Sequence, residues 1–95
     1  MPFYVYMLAS RKGGTIYTGV TRDLNDRVFE HREGRGSQFT ARYGVRRLVW
    51  YESYDNPADA IQREKNIKQY YRKWKIDLIE AMNPEWYDLY RTLGD

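Results

Sequence analysis

The chain of 95 residues contains no cysteine, which excludes disulfides and thiolate metal sites outright. It has a single histidine, His31, so any imidazole chemistry must use that side chain. No apolar run is long enough to span a membrane, and the opening Met1–Leu8 lacks the charged start of a signal peptide. A soluble cytoplasmic protein is the expectation. Internal repeats, low-complexity tracts and linkers are likewise missing, so the length suits one domain with one modest core. Acid is scarce in one place above all: between Arg63 and Lys75 six bases face only Glu64.

Aromatics make up 17% of residues, ten of them tyrosine, and they supply burial despite a mean hydropathy of -0.86. The net charge of +3 hides an asymmetry, because residues 1–75 hold 15 Lys/Arg against 8 Asp/Glu while residues 76–95 hold one Arg against five acids. The basic stretch suits a polyanion, with Tyr70, Tyr71 and Trp74 available to stack on bases. The same pattern also fits a solvated helix face whose aromatics are core.

Phe3–Leu8 is rich in β-formers and reads as a strand with Tyr4 and Tyr6 on one face and Phe3, Val5 and Met7 on the other. Arg11–Gly14 is a turn and Thr15–Val20 a second strand, together a hairpin. Thr21 or Asp23 can cap a first helix that ends by Gly34–Gly36. Ser37–Tyr43 reads as ambiguous, about one helical turn. Leu48–Tyr54 is a third strand, and Asn56 with Pro57 starts a helix running to about Tyr70. A further helix carries Trp74, Leu78 and Met82 and stops before Asn83–Pro84. Glu85–Tyr90 is expected to form a short helical piece. The order β-β-α-β-α-α predicts an α+β fold, a small three-stranded antiparallel sheet flanked by helices.

Three ionisable residues sit where these helices should bury hydrocarbon. Helical spacing puts Leu24, Arg27, Val28 and His31 on one stripe. In the second long helix Glu64 falls between Ile61 and Ile67 on the apolar side, with Asp59 and Arg63 pointing the other way. Charges are rarely buried without partners, since desolvation costs several kcal/mol per ion. Arg27, His31 and Glu64 therefore mark the place to look for a site.

With the hairpin residues added, the chain resembles the GIY-YIG nuclease superfamily. Val5-Tyr6-Met7 stands at the first tripeptide and Tyr17-Thr18-Gly19 at the second, followed in order by Arg27, His31 and Glu64. Phe39–Tyr43, Leu48–Glu52 and Asn83–Trp86 are similar to the small standalone bacterial members. The resemblance implies a single such domain over residues 1–95, with a C-terminal helical tail from about residue 84.

It implies a metal-dependent endonuclease-like domain acting on phosphodiesters of DNA or RNA, or a binding module that keeps the fold without catalysis. Glu64, the one acid on an apolar face, would be the metal ligand, with substrate phosphate completing a Mg²⁺ or Mn²⁺ site. Arg27 offers forked donors to a phosphate, although a salt bridge to Asp23 or Glu30 is the plainer alternative. Tyr17 would activate water with Tyr6 positioning it, provided nearby cations lower a phenol pKa of ~10. His31, ordinarily near ~6.5, could instead take the proton itself. Gly19, Arg22, Lys65, Lys68, Arg72 and Lys73 would hold the substrate. Two positions depart from the family pattern: Val20 replaces a lysine, with Arg22 the nearest substitute, and Ile76 stands near an expected asparagine. Nucleic acid is the expected partner and a membrane is not. The acidic tail (Asp77, Glu80, Glu85, Asp88) leaves room for a protein partner or an added recognition subunit.

Overall fold

Alternation of side chains along Phe3–Ala9 forces that strand to bury both of its faces, and this places it at the centre of the molecule. In the computed structural model, which describes residues 2–93, β1 (Phe3–Ala9), β2 (Ile16–Thr21) and β3 (Arg47–Tyr54) form one antiparallel sheet in the order β2-β1-β3. Tyr6 pairs with Gly19 and with Tyr51, and Leu8 with Tyr17, so these residues share one face. Val5, Met7 and Ala9 share the other. A register shift between Met7 and Leu8 marks a bulge opposite β3.

Each face has its own cover. On the Tyr6 face, Tyr6 and Leu8 pack with Leu24 and Val28 of α1 (Leu24–Arg32) and with Val45 and Leu48. On the Val5 face, Val5 and Met7 pack with Ala60 and Ile67 of α3 (Pro57–Lys68) and with Ile79 of α4 (Arg72–Met82). The α+β class and the order β-β-α-β-α-α are as the sequence predicts, with the short α2 (Gln38–Tyr43) inserted before β3. Caps explain the starts: Asp23 accepts from Asp26 N–H, Ser37 from Thr40 N–H, and Asn56 from Ala58 N–H.

Three local expectations change. The last helix faces the core with Ile79 and half-buries Ile76 and Leu78, while Trp74 and Met82 are exposed. A recurring apolar spacing names a stripe but not which of two neighbouring stripes meets the sheet. Ile61 is also exposed, whereas Arg63 turns inward to pair with Glu52 on β3, Nε to Oε1 at 3.0 Å. Finally, residues 85–88 are not helical. Trp86 takes a left-handed φ of 58° and buries its indole, and the Asn83 side chain captures the Tyr87 N–H, so only Leu89–Thr92 form a 3-10 turn.

The segment after α4 is tied to β3. Asn83 Nδ2 donates to Val49 O, Asp88 accepts from Leu48 N–H and pairs with Arg32, and Arg47 donates to Trp86 O. No helix among the described residues is long and apolar enough to cross a membrane.

Candidate active site

The hairpin delivers Tyr6 and Tyr17 to the α1 face of the sheet, and α1 delivers Arg27 and His31 to the same place. The Tyr17 ring lies 5.2 Å from the imidazole and 6.4 Å from the Tyr6 ring. Tyr6 Oη is 3.1 Å from His31 Nε2, and His31 Nδ1 is 2.9 Å from Thr40 Oγ1 on α2. His31 and Tyr6 are essentially buried, whereas Tyr17 is half-buried and Arg27 keeps about a third of its side chain exposed (32%).

The proton positions follow from counting donors. The Thr40 hydroxyl donates to Ser37 O, which can only accept, so Oγ1 accepts from the imidazole and the Tyr6 proton points to His31 Nε2. Nε2 then accepts, and Nδ1 carries the imidazole proton and donates to Thr40 Oγ1. The Thr40 hydroxyl passes its own proton to Ser37 O at 3.2 Å, and Ser37 Oγ donates to Thr40 Oγ1 at 2.9 Å. Every member of the chain is satisfied in this arrangement.

Burial sets the protonation states. Desolvation pushes His31 down to about 4, and the Arg27 charge pushes the same way, so the ring is neutral near pH 7. Burial, together with the neighbouring Tyr17, pushes Tyr6 up to about 12 against the opposing pull of Arg27. Tyr6 thus keeps its proton near pH 7. His31 has both nitrogens engaged and cannot reach solvent water.

Two glycines make the packing sterically feasible. A Cβ on Gly19 would lie 2.5 Å from Tyr6 Oη, and one on Gly36 would lie 2.2 Å from His31 Nδ1. Gly36 O also accepts from Arg27 Nη2 at 2.9 Å, while Glu30 sits 3.8 Å from Nη1. The expected Glu30 partner for Arg27 is present, and the loop carbonyl holds the guanidinium more closely. Gly36, Ser37 and Thr40 belong to the site and escaped the sequence reading. The signal available was chemical: a buried lone histidine needs a partner for each nitrogen, and Thr40 follows a capping serine just beyond α1.

Glu64 is placed differently. It lies between Ala60 and Ile67 on α3, with its side chain only 14% exposed and its carboxylate 2.9 Å from Lys68 Nζ. Helix α3 packs on the opposite face of β1 and β2, and no hydrogen bond or ion pair among the described residues joins Glu64 to the four residues above. The layers meet at β2, the edge strand that carries Tyr17 and Gly19. On the α3 side of that strand, Thr18 Oγ1 is buried without a hydrogen-bond partner. Among the described residues no three His, Cys, Asp or Glu side chains cluster as metal ligands. A single carboxylate suits a hard ion that keeps most of its waters, such as Mg²⁺ or Mn²⁺.

Most of the predicted substrate contacts are engaged within the protein. Arg72 Nη2 donates to Gly13 O and Gly14 O at 2.7 Å each, bracing the hairpin turn. Lys73 pairs with Asp77 at 3.2 Å, and Arg22 lies over the Phe3 ring, 5.6 Å from its centroid. Arg22 and Val20 border a shallow apolar hollow with Phe3 and Ile61. Lys65 is exposed and unpaired among the described residues. Ile76 packs against the Val5-face core.

Comparison with known proteins gives a consistent picture. Residues 2–77 match the model of the GIY-YIG catalytic domain. The chain is 35% identical over 77 residues to a UPF0213 protein of Staphylococcus epidermidis, covering 81% of this chain and 93% of the relative. A UPF0213 protein of Staphylococcus aureus is 36% identical over 77 residues with the same coverage. The fold is similar to the solution NMR structure of a UPF0213 protein from Bacillus halodurans, with a TM-score of 0.58, 30% identity, and coverage of 99% and 98% of the two chains.

Proposed function

The chain belongs to the GIY-YIG family, a nuclease family, and from that premise we propose that it is a divalent-metal-dependent endonuclease that hydrolyses phosphodiester bonds in DNA, with RNA the alternative substrate. The observation that carries this reading is the satisfied buried chain Tyr6–His31–Thr40, packed beneath a half-exposed Tyr17 and a fixed Arg27. A core with no chemistry to perform could fill the same space with hydrocarbon at less risk of unpaired polar groups.

The roles follow from access and protonation state. Arg27, charged at any working pH and tethered by Gly36 O, presents its remaining donors to a phosphate and stabilises the negative charge that builds there. Tyr17, the one accessible phenol of the pair, faces the attacking water. Tyr6 keeps its proton and, locked by His31 and Thr40, fixes the wall against which Tyr17 lies. Glu64 would hold Mg²⁺ or Mn²⁺ at the β2 edge, and when bound the ion supplies charge neutralisation at the phosphate and leaving oxygen. Lys65 adds an unpaired charge beside it. Such an enzyme would act in the cytoplasm.

The test is a cleavage panel of plasmid, branched and single-stranded DNA and of RNA, with each metal in turn. Wild-type protein is expected to cut at least one substrate, and folded Glu64→Ala and Arg27→Ala proteins none. No cleavage of any substrate by the wild type with either ion overturns the proposal. One observation favours the second reading, a binding module without turnover: Glu64 is already satisfied by Lys68 in the layer opposite the tyrosines. That module would bind nucleic acid equally well as Glu64→Ala.

A further inference from the structure

In the basic stretch that stands out in the sequence, Arg63–Lys75, three of the six bases pair with Glu52, Glu64 and Asp77, and Arg72 is held by two backbone carbonyls. A second segment carries free charge with no acid of its own. Residues 34–51 contain four arginines and no acid. Among the described residues Arg35, Arg42 and Arg46 are exposed and pair with no carboxylate. Within this segment α2 carries Phe39 and Tyr43, which are 43% and 49% exposed.

These rings continue the candidate active site outward. Tyr17 and Phe39 lie 6.2 Å apart, Phe39 and Tyr43 5.0 Å apart, and the Arg42 guanidinium lies over the Tyr43 ring at 5.5 Å. The outward halves of these aromatics, beside unpaired arginines, are left uncovered by the fold. Flat apolar rings next to positive charge match a chain of nucleobases joined by phosphates. An apolar peptide would not use the arginines, and an acidic one would not need the rings in series.

We propose that Phe39 and Tyr43, with Arg42, form a stacking subsite on α2 that holds unpaired bases flanking the phosphate presented to Tyr17 and Arg27. This rests on the nucleic-acid part of the function proposed above. Phe39 directly precedes Thr40, whose hydroxyl holds His31, so the stacking subsite and the buried chain of hydrogen bonds share α2.

The test measures equilibrium binding by fluorescence anisotropy in EDTA, with the full-length protein and three labelled probes of equal length: oligodeoxythymidylate, an abasic strand and a blunt duplex. Phe39→Ala and Tyr43→Ala are each expected to weaken oligothymidylate binding about ten-fold, within the range for losing one base–aromatic stack, and to leave the abasic strand unaffected. Arg42→Ala should weaken both strands and flatten the salt dependence. Circular dichroism and melting confirm folding; if Phe39→Ala fails to fold, Tyr43→Ala at the outer end decides alone. Unchanged oligothymidylate binding, or equal losses on oligothymidylate and the abasic strand, overturns the proposal. So does binding by the wild type to the duplex alone, or to none of the probes. Metal-dependent cleavage by wild type, run in parallel, separates the two ideas: cleavage with unaltered variant binding sinks the subsite alone, and subsite-dependent binding without cleavage sinks the hydrolase alone.

Discussion

Acid should unfold this protein earlier than its carboxylates require, and His31 is the reason. The imidazole is fully buried, bonded at both nitrogens, and held down to about 4 by desolvation and by Arg27. In the unfolded chain it titrates near its ordinary value of about 6.5. Between those values the unfolded state binds a proton that the folded state refuses, so stability rises with pH across that window. The full contribution is present above about pH 6.5 and is lost progressively as pH falls to about 4. From about pH 7.5 to about pH 5 the loss is about 2 kcal/mol, before most carboxylates titrate, and below about pH 4 it reaches about 3 kcal/mol. For a domain of this size the first figure corresponds to a fall of about 10 °C in Tm. Urea denaturation followed by tryptophan fluorescence at a series of pH values measures it. The chain's lone histidine makes the assignment direct, because the imidazole resonances in an NMR titration have one source. An imidazole titrating near 6.5 in the folded protein, or flat stability between about pH 7.5 and about pH 5, would refute the reasoning. His31→Asn should show no such slope whatever its absolute stability.

Thr40→Val leaves the imidazole Nδ1–H buried without an acceptor and should cost about 1–3 kcal/mol; ¹⁵N shifts of the single imidazole should move away from the Nδ1–H form, with Thr40→Ser restoring it, and unchanged shifts would contradict the proton assignment. Gly19→Ala forces a Cβ to within 2.5 Å of Tyr6 Oη, so the ring must move; a loss of about 1–3 kcal/mol in denaturation and a shifted Tyr6 resonance are expected, and neutrality would mean the ring has room. Lys68→Gln removes the ammonium that a cation must displace from Glu64. The Mg²⁺ concentration for half-maximal cleavage should then fall up to about five-fold, in line with a partly exposed ion pair, and a rise would show Lys68 aiding the ion.

Much of the fold is legible in the sequence because each strand and cap has a local cause. Alternation in Phe3–Ala9, the Gly13–Gly14 turn and the Asn56–Pro57 start all act within a few residues. Orientation of α4 is not local: Trp74–Leu78–Met82 and Ile76–Ile79–Asn83 are both plausible inner stripes until the sheet beneath is known. The anomalous positions Arg27 and His31 mark the candidate site because both find partners beyond α1, although Arg27 also keeps Glu30 on its own helix at 3.8 Å. The partners themselves, Tyr6, Thr40 and Gly36 O, come from elsewhere in the chain and could not be read from spacing. The partners of the basic stretch are non-local in the same way. Counting charges along Arg63–Lys75 sees Glu64 alone, whereas folding brings up Glu52 and the hairpin carbonyls.

The tethering of residues 83–88 to β3 makes the two borders of the sheet unequal. A border strand normally offers free N–H and C=O groups to any extended chain that drifts past, a hazard for self-association. Along β3 the Leu48 N–H is held by Asp88 and the Val49 carbonyl by Asn83, so side chains from beyond the matched family domain blunt that border. Along β2 no such guard is drawn across among the described residues, and that border runs past Tyr17 and Gly19. The described sheet is therefore one-sided toward strand-like visitors: guarded where residues 83–88 lie, and unguarded along the strand that carries Tyr17 and Gly19.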